Sequence, residues 1–334
     1  MRLVSACDYV SLDFFGDFCR SVAYDLRMRI PFHIYSYVIA AGAIMGFASA
    51  NVFSDTFQLE PGPASTIQNL IDNVVVDGDV IELAAGDFIV SSVIKLNGRS
   101  ITIRGATDGK GMPATRLIGT GASGIFSCLN SESAETVFED LVVTQGNIDL
   151  GGGLLIIDAS PTVRRVNFIN NVASVFGGGV AVFGAPSSPV FEQCRFEKNQ
   201  ANLVGGGCLN GTSATPTYRD CFWSENEAGL YGRAMYNQID SFPTLDMCVV
   251  EGCCEVVPPA SYIDAGGNAV SATCEDCPGE VNCYGGVNAA DLGLLLTAWG
   301  SDNPIYDLDG NGEVGGGDIG ILIAQWDGCQ VFRP

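Results

Sequence analysis

The sequence predicts an all-β fold, a right-handed parallel β-helix (solenoid), followed by a small α-helical domain. The first observation is a unit of 27 or 28 residues that recurs between about Pro161 and Met247. The second is that this unit has alternating apolar runs and no room for a helix. The third is a different duplicated pattern, with helical spacing, that begins near residue 277. A period in the twenties is typical of solenoids, in which each repeat buries its apolar face against its neighbours.

Each repeat has the same order of residue types. A proline begins it, at spacings of 28, 27 and 27 residues: Pro161, Pro189, Pro216 and Pro243. An aromatic or apolar residue and then an asparagine follow: Phe168, Phe196, Trp223 and Val250, and Asn171, Asn199 and Asn226. Glycine and asparagine are expected at tight corners that need positive φ. Because stacked coils align equivalent residues, we expect one interior ladder of these aromatics, one of Val166, Cys194, Cys221 and Cys248, and a corner ladder of asparagines.

The pattern F-x-x-N followed by G-G and a small apolar residue resembles the repeats of polymorphic outer-membrane proteins. It is similar, more loosely, to the pectate-lyase-like right-handed β-helix superfamily. The residues that carry the resemblance are Phe168/Asn171 with Gly178-Gly179-Val180, Phe196/Asn199 with Gly206-Gly207-Cys208, and Trp223/Asn226 with Gly232. The resemblance implies the fold and does not imply a particular reaction.

Charge and histidine content exclude several classes of function. The formal net charge is −22, with 16 Lys and Arg against 38 Asp and Glu, which argues against nucleic-acid partners and anionic membrane surfaces. The sole histidine, His33, lies in a segment that we expect to be removed. A mature chain without imidazole excludes Ser-His-Asp and Cys-His catalysis and histidine-ligated metal sites.

Residues 28–50 have the features of a secretory signal peptide. Met28-Arg29 is basic, Ile34 to Phe47 is apolar, and Ala48-Ser49-Ala50 is a small-residue cleavage site. The apolar run is short for a membrane span, which favours cleavage over the alternative of a membrane anchor. We therefore expect no membrane span after cleavage and a bacterial protein that is secreted, free or attached to the cell surface. Residues 1–27 are interpreted as a non-native or disordered extension.

The rest of the chain is expected to divide into four parts. These are a β-helix with an N-terminal cap (51–256), a linker (257–276), the helical module (277–329) and a tail (330–334). In the cap, Ser65 or Thr66 is expected to cap a short helix that precedes the strand Val80 to Leu83. Roughly seven or eight coils fit between residues 79 and 256.

The chain has 13 cysteines, and Cys7 and Cys19 precede the expected cleavage site, which leaves 13 − 2 = 11, an odd number. At least one cysteine is therefore unpaired or pairs between molecules. The repeat cysteines are interpreted as small buried hydrophobes rather than disulfide partners, because their ladder phase already explains them.

The helical module contains a calcium-loop spacing before its second apolar helical pattern. The run Asp307-x-Asp309-x-Asn311-Gly312, followed by Asp318, places oxygen ligands at positions 1, 3, 5 and 12, and Glu313 offers its backbone carbonyl at position 7. The helical patterns are Leu292, Leu295, Leu296, Trp299, and Ile319, Leu322, Ile323, Trp326. An acidic glycine-rich turn is the alternative, but the duplication with a helix after each loop favours calcium as cofactor.

This duplicated loop-helix unit is similar to a type I dockerin, especially the bacterial kind that ends in Gly-Cys, here Gly328-Cys329. The resemblance implies docking to a cohesin-like or cell-surface partner. The first copy is a weaker, degenerate site, because Tyr284 replaces an oxygen ligand beside Glu280, Asn282, Asn288 and Asp291. Positions 10 and 11 are Ala289-Ala290 and Gly316-Gly317, without the hydroxyls frequent in cohesin-binding dockerins. Cys277 and Cys329 bracket the module and are the candidate disulfide in an oxidising compartment.

Two functions remain open at this point. The first is a secreted, non-catalytic β-helix for surface attachment, adhesion or glycan binding. The second is a carbohydrate-active enzyme, a polysaccharide lyase or glycoside hydrolase, which needs paired carboxylates or an Arg or Lys base. Its candidate groups are Arg164, Arg165, Arg195 and Arg219, with Glu192 and Asp220, and Asp140, Asp149 and Asp158. Strand alternation places Arg195 outside, which favours a solvated face over a catalytic one, and no catalytic residue is assigned.

Overall fold

The structure, a computed structural model, describes residues 54–185, 187–253, 255–257, 261–271, 278–281 and 287–326. It is mostly β, and its strands stack as a parallel β-solenoid of about seven turns, as the sequence predicts. The predicted extension (1–27), signal peptide (28–50), ligand Asn282 and cysteines Cys277 and Cys329 lie outside the described residues.

Two faces of the solenoid have nine strands each within the described residues. Sheet A contains β1 (Thr56–Leu59), β3 (Val80–Leu83), β6 (Thr102–Gly105), β9 (Val137–Glu139), β13 (Thr162–Arg164), β17 (Val190–Glu192), β21 (Thr217–Arg219), β25 (Thr244–Asp246) and β28 (Ile263–Asp264). Sheet B contains β2 (Gly62–Pro63), β4 (Gly86–Val90), β7 (Thr115–Gly119), β10 (Leu141–Thr144), β14 (Asn167–Ile169), β18 (Arg195–Glu197), β22 (Phe222–Ser224), β26 (Val249–Cys253) and β29 (Ala269–Ser271).

Two shorter sheets complete the coils in the described part of the chain. Sheet C contains β5 (Ile94–Lys95), β8 (Phe126–Cys128), β12 (Leu154–Ile157), β16 (Val180–Phe183), β20 (Cys208–Asn210), β24 (Met235–Asn237) and β27 (Val256–Val257). Sheet D contains β11 (Asn147–Leu150), β15 (Val172–Phe176), β19 (Gln200–Ala201) and β23 (Glu227–Ala228).

The predicted aromatic ladder is confirmed in sheet B. Phe168 is in register with Phe196, and Phe196 with Trp223. Their rings stack with centroids 5.3 Å and 4.9 Å apart. A second stack, Phe191 on Tyr218 at 4.9 Å, comes from sheet A. These rings are buried in one continuous core, where each contributes the large apolar area that stabilises stacked coils.

The predicted cysteine ladder is also confirmed. Cys194, Cys221 and Cys248 are buried and unpaired. Each thiol donates a hydrogen bond to a carbonyl of the preceding coil, at 3.4 Å, 3.5 Å and 3.3 Å, and the acceptors are Val163, Phe191 and Tyr218. Burial raises the pKa of the Cys221 thiol well above its ordinary value. These cysteines act as small apolar groups with a weak donor, as the sequence predicts.

The asparagine ladder bonds the backbone across three coils. The Asn199 side-chain amide donates to the carbonyl of Phe168 at 2.8 Å, and its Oδ1 accepts from the backbone N–H of Asn171 at 3.1 Å. Asn171 and Asn226 make the equivalent bonds, and Asn171 and Asn199 are fully buried. Positive φ at this corner belongs to the preceding residue, which is Lys198 before Asn199.

Positive φ occurs as expected at Gly177, Gly205 and Gly232, with φ between 65° and 73°, whereas the corner between sheets A and B uses other residue types. Its left-handed residues are Asp140, Arg165, Gln193, Asp220 and Met247, with φ between 50° and 58°. A left-handed conformation costs an L-residue about 1 kcal/mol, and the surrounding ladder hydrogen bonds offset that cost. Because this cost is small, long polar side chains are tolerated where they point into solvent.

A short helix, α1 (Ser65–Asn73), covers the first coil. It buries Ile67 and Ile71 completely. The expected cap by Ser65 or Thr66 is wrong, because the helix begins at Ser65 and Ala64 holds the N-cap position. The Thr66 hydroxyl instead donates to the carbonyl of Pro63 at 2.9 Å.

The solenoid extends past residue 256, where the sequence places a linker. Strand β28 pairs with β25, and β29 pairs with β26. These strands have two and three residues and lack the aromatic and asparagine of the repeat, so the sequence pattern does not reveal them.

The C-terminal module has two helices in its described part, α2 (Ala289–Thr297) and α3 (Gly316–Ala324). Its buried core consists of Val287 and Leu295 from the first half and Val314 and Leu322 from the second, in pairs 314 − 287 = 27 and 322 − 295 = 27 residues apart. Among the described residues, no helix has the length and apolarity that a membrane crossing requires.

Candidate functional site

The calcium-loop spacing folds into a cluster of carboxylates. Asp307, Asp309 and Asp318 each offer an oxygen, and these oxygens lie within 4.8 Å of one another. Asp307 is half-buried, Asp309 is exposed and Asp318 is buried. Within the described ranges, no other group of three or more His, Cys, Asp or Glu side chains is placed to hold a metal ion.

Hydrogen bonds to Asp307 wind the loop around this cluster. Its Oδ1 accepts from the backbone N–H of Asn311 at 3.0 Å, and its Oδ2 accepts from that of Gly312 at 2.8 Å. The Asn311 Oδ1 accepts from the backbone N–H of Glu313 at 3.0 Å. Gly312 has φ of +89°, a conformation that side chains oppose, which explains glycine at the sixth position.

Asp318 anchors the start of α3 and closes the loop. Its Oδ1 accepts from the backbone N–H of Leu308 and Asp309, at 2.6 Å and 3.0 Å, and its Oδ2 accepts from that of Gly315 at 2.6 Å. Burial alone raises the pKa of Asp318, but these backbone donors outweigh it and the pKa is lowered. The carboxylate is therefore ionised and placed at the helix N-terminus, where the helix dipole favours negative charge.

These groups fit a calcium ion. Three carboxylates and the Asn311 amide are hard oxygen donors, and the Glu313 backbone carbonyl can supply a further oxygen. Asp318 Oδ1 accepts two backbone hydrogen bonds, but Asp318 Oδ2 and both Asp307 oxygens accept one each and keep a lone pair. The same bonds that hold the loop therefore leave acceptor capacity for a calcium ion, which would offset two of the three negative charges held close together.

Position 11 of this loop, Gly317, lies against the end of the Asp309 side chain. A Cβ at Gly317 would lie 2.0 Å from the Asp309 Oδ2. The carboxylate of a proposed ligand thus occupies the space of a position-11 side chain. A serine or threonine there would displace Asp309.

The first half of the module has the same framework with fewer acids. Asp291 accepts from the backbone N–H of Val281 at 3.0 Å and from that of Asn288 at 2.9 Å. The Asn288 side chain accepts from Ala290 at 2.9 Å, which caps α2. Glu280 and Asp291 are fully buried. The structure therefore brings together three of the four predicted weak-site residues within one loop framework, and Asn282 lies outside the described residues.

The apolar helical patterns of the module are only half buried, which the sequence did not predict. Leu295 and Leu322 are completely buried, whereas their neighbours Leu296 and Ile323 are 51% and 55% exposed. Trp299 and Trp326 are 53% and 38% exposed. The two exposed pairs hold equivalent positions, 323 − 296 = 27 and 326 − 299 = 27 residues apart. Exposure of large apolar side chains at equivalent positions of both halves makes them candidates for an interaction surface.

The recurring charges of the solenoid form an alternating ladder on the outer face of sheet A. Neighbouring coils place opposite charges in register: Glu82, Arg104, Glu139, Arg164, Glu192, Arg219 and Asp246. The Arg219 Nη1 lies 3.3 Å from the Glu192 Oε1, and the Arg104 Nη1 lies 3.2 Å from the Glu82 Oε1. Cross-strand pairs of opposite charge stabilise a sheet, so these residues have a structural role.

The densest group of charges surrounds Glu139, which is buried. Its carboxylate accepts a short hydrogen bond from Arg104 and lies 3.6 Å from the Arg165 Nη2 and 3.9 Å from the Arg164 Nε. Arg165 also donates two hydrogen bonds to the Asp140 carboxylate, of 2.7 Å and 2.9 Å. The hydrogen bond to Glu139 raises the pKa of Arg104, and that to Asp140 raises the pKa of Arg165. Sequence reasoning missed Glu139, although its register with two arginines was the available signal.

The other candidate catalytic residues do not meet at this group. Arg195 lies on sheet B, bonds Glu197 at 2.6 Å and covers the Phe222 ring at 4.5 Å. Asp220 accepts from Gln193 at 3.2 Å, and Asp149 accepts from Ser174. Asp158 lies at a separate left-handed turn. No sheet-A arginine in the described part of the chain makes a ring contact of the Arg195 kind.

Neither a scan of protein-family models nor a search of the curated proteins finds a match to this chain. Its fold and the carboxylate loop of the C-terminal module therefore carry the functional argument.

Proposed function

We propose that this chain is an exported, non-catalytic β-solenoid protein that a calcium-loaded, dockerin-like module attaches to a partner outside the cell. The observation that carries the proposal is the cluster of Asp307, Asp309 and Asp318 oxygens within 4.8 Å of one another. Three carboxylates at this separation repel one another, and the repulsion costs free energy unless a bound cation offsets it. The right-handed, pectate-lyase-like form of the solenoid belongs to this proposal, and the resemblance of its repeats, such as Phe168/Asn171 with Gly178-Gly179, supports it.

The charge distribution of the solenoid supports a non-catalytic role. On sheet A, acids and arginines alternate from coil to coil, and the buried Glu139 is shared by three arginines. These acids and arginines pair with one another. A catalytic acid or base would instead need to lie within hydrogen-bond reach of a substrate.

Export follows from the basic, apolar and small-residue order of residues 28–50. The five described buried cysteines are compatible with it, because thiols inside the core are shielded from oxidants and disulfide exchange. Calcium at extracellular concentrations would then saturate even a loop of modest affinity.

The experiment is fractionation of the native host with the full chain and with an Asp307→Asn/Asp309→Asn variant. We expect the wild-type chain outside the cell, without residues 28–50, and released from the surface by a calcium chelator. The variant is expected in the medium without chelator. Retention of the wild-type chain in the cytoplasm, or surface attachment that both chelation and the variant leave intact, would contradict the proposal.

The carbohydrate-active enzyme is the alternative, and the convergence of charges on Glu139 is the observation that favours it. A release assay on a panel of polysaccharides, with and without calcium, tests it beside a glycan-binding assay. Turnover that Glu139→Gln abolishes would establish the enzyme and overturn the non-catalytic proposal. Binding without turnover would support the proposal.

A further inference from the structure

Within its described residues, the C-terminal module leaves four large apolar side chains exposed. They are Leu296 and Trp299 in the first half and Ile323 and Trp326 in the second, two equivalent pairs that we together call the twin tryptophan surface. All four side chains are between 38% and 55% exposed, whereas Leu295 and Leu322, one position away, are completely buried. Within each half the tryptophan lies two residues beyond the helix end, and its backbone N–H donates to the carbonyl of the leucine or isoleucine three residues earlier, at 3.4 Å and 3.1 Å.

Positions 10 and 11 of the two loops have no polar side chain with which to recognise a partner. Positions 10 and 11 are Ala289-Ala290 in the first half and Gly316-Gly317 in the second. At Gly317 the Asp309 carboxylate already occupies the space of a side chain. Recognition by this module is therefore expected from another part of its surface, and the four exposed apolar side chains are the candidates in its described part.

The charge of the module determines the chemistry of the partner. Between Cys277 and Cys329 the chain has eight acidic residues and no lysine, arginine or histidine: Glu280, Asp291, Asp302, Asp307, Asp309, Glu313, Asp318 and Asp327. One calcium ion offsets two of these charges, 8 − 2 = 6 remaining. Glu280, Asp291 and Asp318 are completely buried, but Asp302, Asp309 and Glu313 are exposed and no basic residue opposes them. Exposed apolar side chains on a module of this charge suit a partner whose apolar site is bordered by lysine and arginine. A second copy of this chain carries the same negative charge, and an anionic lipid surface is also repelled.

We infer that the twin tryptophan surface is where the module binds its partner, and that the partner is a protein with an apolar pocket bordered by basic residues. The inference rests on the proposed docking function and specifies the contact surface for it. Tryptophan is enriched among the residues that dominate binding energy, so the two tryptophans are expected to provide most of the affinity.

The test uses the full chain loaded with calcium and, as probe, a synthetic amphipathic helix made only of leucine and lysine. A leucine–glutamate helix of the same pattern is the charge control. Calorimetry is expected to show binding of the first peptide only. Trp299→Ser/Trp326→Ser should weaken that binding by about tenfold or more. The matched control is Ile239→Ser/Phe242→Ser, which removes two solenoid side chains that are 64% and 50% exposed and should change the affinity by less than about twofold.

The intrinsic fluorescence gives a second readout, because Trp223 is fully buried and Trp299 and Trp326 are exposed. The peptide should shift the emission of the wild-type chain to shorter wavelength and reduce quenching by acrylamide. Each single variant, Trp299→Ser or Trp326→Ser, should retain part of this change. Equal peptide affinity for the wild-type chain and the double tryptophan variant would overturn the inference, as would equal binding of both peptides.

Calcium titration of the same variants separates this inference from the proposed function. The double tryptophan variant is expected to bind calcium like the wild-type chain. Normal calcium binding with peptide affinity that the tryptophan substitutions leave unchanged would overturn the surface alone. A wild-type chain that binds no calcium would overturn the docking proposal. Concentration-dependent self-association, or binding to phosphatidylcholine vesicles, that the tryptophan substitutions abolish would assign the surface to another occupant and overturn the inference.

Discussion

Asp291 and Asp318 play the same structural part in the two halves of the C-terminal module. Each carboxylate accepts a backbone N–H from the residue ten positions earlier, Val281 or Leu308, and from the residue three positions earlier, Asn288 or Gly315. Both are completely buried at the start of a helix. The difference between the halves lies in their neighbours, because two further carboxylates join Asp318.

We therefore predict different effects of the same substitution in the two halves. Asp318→Asn should abolish strong calcium binding and destabilise α3, because an amide places a donor against backbone N–H groups. Asp291→Asn should destabilise α2 and leave the strong calcium site occupied. Terbium luminescence measures the site, and circular dichroism measures the helices.

Asp302→Asn is the control for these two variants, because Asp302 is exposed in the same module. It should change neither signal. Equal loss of terbium binding in Asp291→Asn and Asp318→Asn would show two equivalent sites and contradict the assignment of the first as degenerate.

Asn199→Ala is expected to lower the free energy of unfolding of the solenoid by about 2–5 kcal/mol. The substitution removes the side-chain donor to the Phe168 carbonyl and leaves the Asn171 backbone N–H without its acceptor inside the core. Urea denaturation followed by circular dichroism measures the loss. Asn202→Ala, at an exposed position of the next strand end, should be close to neutral. Similar urea midpoints for Asn199→Ala and Asn202→Ala would contradict a stabilising role of the asparagine ladder.

Glu139→Gln should destabilise the solenoid by about 1–3 kcal/mol, because three arginines share this carboxylate and a charged hydrogen bond is lost. Part of the loss should disappear at high salt, since the arginines are partly exposed. Glu135→Gln, at an exposed position four residues earlier, is the control. A Glu139→Gln protein as stable as the wild-type chain would remove the structural explanation of this cluster.

Glu255 is expected to make the coil that contains β27 sensitive to pH. Burial raises its pKa from 4.5 to about 7, although Arg233 at 3.6 Å and the Ala234 N–H act in the opposite direction. The folded state thus favours the protonated acid. The stability contributed by protonation is complete below pH 4.5 and is lost as the pH rises through about 7.

Glu255→Gln should therefore be more stable than the wild-type chain above neutral pH, by roughly 3 kcal/mol at most, and equally stable in acid. Urea midpoints at acidic and alkaline pH measure the difference. Glu251→Gln changes an exposed acid of the same coil and should follow the wild-type profile. A constant difference between Glu255→Gln and the wild-type chain at all pH values would contradict the raised pKa.

The interior of the solenoid was predictable from sequence because stacking repeats one environment at one period. Phe168, Phe196 and Trp223 recur at the repeat spacing, and burial in one column requires large apolar side chains at these positions. Corner residues were less predictable. Arg165 and Lys198 adopt positive φ although the sequence favours glycine or asparagine there, because the local cost is small and the ladder enforces the turn.

The carboxylate loop was predictable because each ligand has a fixed position relative to Gly312. The twin tryptophan surface was not predictable, because the helical period places Leu295 and Leu296 on the same broad apolar stripe. Only the packing of two nine-residue helices determines that Leu295 is buried and Leu296 is exposed. Glu139 was missed for a similar reason, since its arginines come from other coils.

Calcium titration of the intact chain by calorimetry tests the central claim most directly. We predict one strong site in the wild-type chain, none in Asp307→Asn/Asp309→Asn, and an unchanged site in Asp302→Asn. A wild-type chain without a strong site, or a double variant that binds calcium as the wild-type chain does, would contradict the assignment of this loop as the calcium site.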